Sequence, residues 1–189
     1  MTFSELRKLL YADAHRYRHI PGGMFYRLLV DPYVSLVFWF RVHSFLESKG
    51  GVLRAAAKLI EILSAWFSRV RDVHLPVGTE IGGGFVLVHA IGSVINRTAK
   101  IGENVTILQG VTIGSKRPNN NGVPTIGNNV VICAGAILIG NIHIGDNCLI
   151  SAGSVVMHDV PAGSVVAGNP AKVISDKGRQ LVEEYKVIG

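Results

Sequence analysis

Aromatic side chains are scarce in this chain, where Phe, Tyr and Trp together make up 7% of 189 residues. A core built on large rings is excluded, so the 48% hydrophobic content must rest mainly on aliphatic side chains. Cysteine is scarcer still. Cys133 and Cys148 stand alone, in no spacing that suits a metal site or a disulfide scaffold, and read as small buried side chains. Long hydrophobic runs are missing: the longest, 33–40, falls far short of the roughly 20 residues that cross a bilayer. The opening MTFSELRKLLYADAHRYR is charged and lacks the apolar core of a secretory signal, so a cytoplasmic protein is expected.

Acidic residues are also few, thirteen against nineteen Lys and Arg, which leaves a formal charge of +6. A basic excess suits phosphorylated ligands, nucleic acid or an anionic membrane. No aromatic-interleaved basic stretch or nucleic-acid motif accompanies it, so a phosphorylated ligand is expected and nucleic acid is not. His15, His19, His43, His143 and His158 belong to no constellation, and no metal site is expected.

What is present divides the chain into three parts. Residues 1–72 read as helical. Ser4 is positioned to cap a first helix with Leu6, Leu9 and Leu10 on its apolar face. Asp31-Pro32 opens a second helix that ends near Gly50-Gly51, and a third spans 52–70. The second and third combine aromatic with basic residues, as interfacial helices do, so peripheral membrane contact through them competes with packing on the rest of the protein.

Residues 73–174 follow a different period. Leu75, Ile81 and Leu87 are six apart, and so are Ile95, Ile101, Ile107 and Ile113. The ladder resumes at Ile126 and runs through Ile132, Leu138, Ile144 and Ile150 to Val156. Neither a strand nor a helix has a period of six, but a triangular solenoid with three short strands per coil does. Glycine often follows the aliphatic residue, as at Gly102, Gly127 and Gly145, where tight corners disfavour a Cβ. The phase slips by two residues between Leu87 and Ile95. It is also interrupted at 115–124 by a polar stretch that reads as a projecting loop. Residues 175–189 read as a short polar helix or tail.

Several runs carry a resemblance: Val88-His89-Ala90, Val105-Thr-Ile-Leu-Gln-Gly-Val-Thr-Ile-Gly114, Cys133-Ala-Gly-Ala-Ile-Leu-Ile-Gly-Asn141, Ala152-Gly-Ser-Val-Val156 and Ala167-Gly-Asn-Pro-Ala-Lys-Val173. From about Leu75 to Ile174 the chain resembles the hexapeptide-repeat acyltransferases, specifically the serine O-acetyltransferase branch, and Phe40-Arg41-Val42-His43 is similar to a run in that branch's helical part. The resemblance implies a mainly β fold, a left-handed parallel β-helix with an N-terminal α-helical region. It also implies homotrimers, with acetyl-CoA in the groove between subunits. A histidine base is implied at His89, an imidazole that titrates near neutrality. For the donor it implies contacts from Gly114, Ser115 and Lys116, a groove along Ala134, Gly135, Ala152 and Gly153, and Lys172 near the adenosine phosphates.

Three positions depart from the branch. Val88 stands where an Asp precedes the histidine, His74 stands where a carboxylate orients it, and Gly122-Val123 replaces an Arg-His pair in the projecting loop. Asp72 is the other candidate to orient His89. Without these polar partners a zwitterion is poorly matched. The expected acceptor is therefore a neutral sugar hydroxyl, and the chain also resembles the acetyltransferases of exopolysaccharide and colanic-acid clusters. L-serine is the alternative acceptor, and a non-catalytic β-helix binding module is the alternative of another class.

Overall fold

The computed structural model describes residues 1–18, 22–23, 26–28, 31–53, 57–58, 72–117 and 122–188. The expected third helix at 52–70 lies largely outside these residues, as does the tip of the 115–124 loop.

Fourteen short strands build a three-sided coil, the left-handed parallel β-helix expected. Sheet I stacks β1 (Glu80–Ile81), β4 (Lys100–Ile101), β7 (Thr125–Ile126) and β10 (His143–Ile144). Sheet II stacks β2 (Val86–Leu87), β5 (Thr106–Ile107), β8 (Val131–Ile132), β11 (Leu149–Ile150) and β13 (Val165–Gly168), and ends with β14 (Ala171–Ser175). Sheet III stacks β3 (Val94–Ile95), β6 (Thr112–Gly114), β9 (Ile137–Ile139) and β12 (Val155–Val156). The ladder residues from Ile81 to Val156 are all buried and form one continuous core.

A second inward column, two residues before the first, includes Phe85, Val105, Val130 and Cys148. These residues range from Phe to Cys in size, so the six-residue beat alone does not single them out. The glycine rule has a direct steric cause: a Cβ on Gly102 would lie 2.6 Å from the Gly127 carbonyl oxygen in the next coil.

Helices flank the coil, and three of them lie among the described residues over their full length. The first, α1 (Phe3–Arg16), is capped by Thr2 rather than Ser4. Thr2 accepts from the Glu5 amide at 3.2 Å while the Glu5 carboxylate accepts from the Thr2 amide at 2.7 Å, a reciprocal box that Ser4 does not make. These bonds hold the Glu5 carboxyl below its ordinary range. The second helix, α2 (Pro32–Glu47), starts where expected, with Asp31 as its cap. Its Val34, Leu36, Val37 and Phe40 are buried, so its apolar face packs on the protein itself.

The lowest strand of sheet II would leave inner amides unpaired at its free edge. Side chains from α1 fill this role. Asp13 accepts from the Phe85 amide at 2.9 Å, and the Tyr17 hydroxyl accepts from the Leu87 amide at 2.9 Å. Burial pushes the Tyr17 hydroxyl far above its usual range, so it stays neutral. Arg41 of α2 pairs with Asp13 at 2.9 Å and donates to the Ile81 and Gly82 carbonyls at 2.6 Å each. At the other end β14 folds back antiparallel on β13. The last helix, α3 (Gly178–Ile188), is the short helix of the two alternatives expected, and its Val182 packs on Val131, Cys133, Leu149 and Val165. Both cysteines are free and buried, and burial raises both thiols. No helix among the described residues is long and apolar enough to cross a membrane.

Candidate active site

Sheet II passes into sheet III through one corner in every coil, and the two-residue slip falls there in the first. Val86 pairs with Thr106 on one side of it and Val94 with Thr112 on the other. The extra residues are therefore held in the turn after Leu87, and His89 lies within it. Its backbone is left-handed, with φ +47°, and its carbonyl accepts from the Ile91 amide at 2.7 Å. Such a backbone is uncommon outside glycine and draws attention where it occurs. The turn leaves His89 exposed while Val88 packs into an apolar cluster with Tyr17, Val34 and Val86.

The two candidates to orient His89 take different places. His74 bridges Val94 in parallel, its amide donating to the Ser93 carbonyl at 2.8 Å. It is exposed at the start of sheet III. Two residues earlier, the Asp72 carbonyl accepts from the Gly92 amide at 2.7 Å, so Asp72 sits in the corner itself. Asp72 has φ +50° and heads a left-handed column that continues through Gly92, Gly110, Gly135 and Gly153.

That column carries the small residues expected to line the donor groove. The Gly153 amide donates to the Ala134 carbonyl at 2.9 Å, which stacks the two pairs Ala134-Gly135 and Ala152-Gly153 in successive coils. Gly135, Ala152 and Gly153 are exposed. Lys172 lies on β14 opposite Ala167, and Ala167 continues the strand that the Ser151 amide joins through Val166. Lys172 therefore stands above the same corner, exposed, with His89 at its foot. The five strand steps between them, from β2 to β14, amount to about 24 Å at ~4.8 Å per step.

Gly114, Ser115 and Lys116 are elsewhere. They leave sheet III at its far edge, where the Gly140 amide donates to the Gly114 carbonyl at 3.0 Å. Within one chain the width of sheet III separates them from the His89 corner. Gly122 and Val123, on the return of the loop, are half-buried. Among the described residues no group of three or more His, Cys, Asp or Glu side chains could hold a metal ion.

The sequence pattern does not single out Asp13, Tyr17 or Tyr33; the last two bear on this corner, and Asp13 holds the other end of the same strand. Asp13 and Tyr17 share one face of α1, four residues apart, which was the available signal. Tyr33 meets His89 edge to face, with ring centroids 6.4 Å apart at 89°. No periodic pattern marks it.

Comparison with known proteins agrees with this fold. The family model for the bacterial transferase hexapeptide (six repeats) matches residues 124–158. Serine acetyltransferase of Staphylococcus xylosus is 39% identical over 144 residues, which cover 76% of this chain and 64% of that one. The chain thus spans less than two thirds of the length of the curated relatives it matches first. Among solved structures, serine acetyltransferase of Neisseria gonorrhoeae superposes with a TM-score of 0.76 at 31% identity, over 92% of this chain and 68% of the other. The soybean enzyme complexed with serine gives 0.75 at 33% identity, over 90% and 70%. In fold and in sequence, the chain belongs to the hexapeptide-repeat transferases, as a homologue of the serine acetyltransferases.

Proposed function

We propose that the chain is an acetyl-CoA-dependent O-acetyltransferase in which His89 is the base. The observation that carries this reading is the single corner that gathers His89, Asp72, the small-residue column and Lys172. The neutral imidazole takes the proton of the acceptor hydroxyl as its oxygen attacks the thioester carbonyl. The tetrahedral intermediate then collapses, the C–S bond breaks, and the CoA sulfur leaves with the proton returned by the imidazolium. Asp72 suits the orienting role better than His74. It lies in the histidine's own corner, and a carboxylate can both fix the tautomer and stabilise the imidazolium. Exposed backbone along Ala134-Gly135 and Ala152-Gly153 offers partners to pantetheine amides, and Lys172 is a point charge for phosphate. Gly114, Ser115 and Lys116 lie across sheet III and would join this groove from a neighbouring subunit, which supports a homotrimer.

L-serine is the first acceptor reading, because the relatives bear that name and Asp72 supplies a carboxylate at the His89 corner. A neutral sugar hydroxyl is the second, favoured by one observation: Val88 is packed among Tyr17, Val34 and Val86, where a carboxylate would be desolvated. Incubation with labelled acetyl-CoA and L-serine, nucleotide sugars or oligosaccharides separates them. Efficient O-acetylserine formation supports serine, labelling of a sugar alone supports the second reading, and transfer to no acceptor contradicts both.

A further inference from the structure

The first turn of α2 points at the reacting corner from outside the coil. Asp31 accepts from the Tyr33 and Val34 amides at 2.8 and 2.9 Å, which fixes the turn. Val34 is buried beside Tyr17 and Val86, and Val88 packs on the same cluster. The backbone on both sides of the Tyr33–His89 contact is therefore held: one side by a helix cap, the other by the edge bond from the Leu87 amide to the Tyr17 hydroxyl. Between these anchors the Tyr33 ring, itself packed against the main core, stands edge to face with the His89 imidazole.

We propose that Tyr33 is a positioning residue that holds the His89 imidazole in its reactive orientation, an inference that rests on His89 being the base. An exposed imidazole on a turn would otherwise sample several rotamers. Edge-to-face aromatic contact selects one of them, and catalytic groups must be held within fractions of an ångström of their productive place. The helices before the coil thereby take part in the chemistry through Tyr33 as well as closing the coil's end.

The test compares Tyr33→Leu and Tyr33→Phe in the full chain, with Tyr33→Met in place of leucine if that variant does not fold. Loss of the ring is expected to lower kcat by about 10- to 100-fold, as misplacement of a reacting group does, while KM for acetyl-CoA is unchanged. Tyr33→Phe keeps the ring and is expected to stay within about twofold of the parent in kcat, since edge-to-face contact needs no hydroxyl. The His89 ring-proton signal, assigned by its absence in His89→Gln, is expected to move in the leucine variant and return with phenylalanine. A kcat and ring signal that ignore loss of the ring overturn the proposal, and so does a phenylalanine variant as impaired as leucine. The ring signal needs no turnover. Inactivity of the parent toward every acceptor sinks the base reading, whereas a ring signal that ignores Tyr33→Leu sinks this one.

Discussion

The coils and the helices beneath them are stabilised in different ways. Each coil from Ile81 to Val156 repeats its neighbour, with aliphatic side chains stacked one above another and backbone bonds running from coil to coil. The two N-terminal helices meet the coil at its lower edge, where Leu36, Val37 and Phe40 of α2 join the main core and a few polar side chains, Asp13, Tyr17 and Arg41, bond the edge. Stacking spreads stability over many similar contacts, as in other repeat proteins. Docking at the edge joins apolar packing from α2 to a few polar contacts that are buried and satisfied. His89 lies where the two regimes meet, in the turn that follows the docked edge strand.

The largest expected effect breaks the docked side. Arg41→Ala would leave Asp13 buried without its partner, which costs about 3–5 kcal/mol. Amide hydrogen exchange should rise in α1, α2 and the 81–87 segment while residues 126–150 stay protected. An equal rise throughout would mean that docking and stacking are one unit. A smaller effect is expected on the stacked side. Gly102→Ala places a methyl against the Gly127 carbonyl and should cost about 1–3 kcal/mol, the range for overpacking. Chemical unfolding checks it, and a stability equal to the parent would mean that the coils part without strain.

The smallest concerns the start of α1. Thr2→Ala removes the cap and should cost about 1 kcal/mol. The Glu5 carboxyl is held low mainly by its bond to the Thr2 backbone. The box is therefore complete above the ordinary glutamate pKa and is lost as pH falls through the lowered value. The stability difference between parent and Glu5→Ala should shrink over that acid window, and a constant difference would contradict the box.

How much the sequence reveals follows the same division. Stacking writes itself into a six-residue period, so the coils, the glycine corners and the interruption at 115–124 are legible from Leu75 onward. Docking leaves no period. Asp13 and Arg41 lie 28 residues apart, and only folding brings them together under the first coil. The candidate site divides likewise. His89 and the small-residue column follow from motif and period, but the partner of His89 does not, because the slip after Leu87 alters the count between coils. The resemblance puts His74 at the orienting position, whereas the bond from the Gly92 amide brings Asp72 to the corner. Tyr33 comes from the helical part, where the pattern names no contact with the coil.

The central claim is that His89 is the base of an acetyl transfer, and release of free CoA thiol measures it most directly. With acetyl-CoA and the accepted hydroxyl substrate, His89→Ala should lose about 100- to 10,000-fold in kcat, the contribution of a general base, with KM for acetyl-CoA little changed. Thiol release by His89→Ala equal to that of the parent, or none from either across the acceptor panel, would contradict the account and favour a β-helix that binds without catalysing.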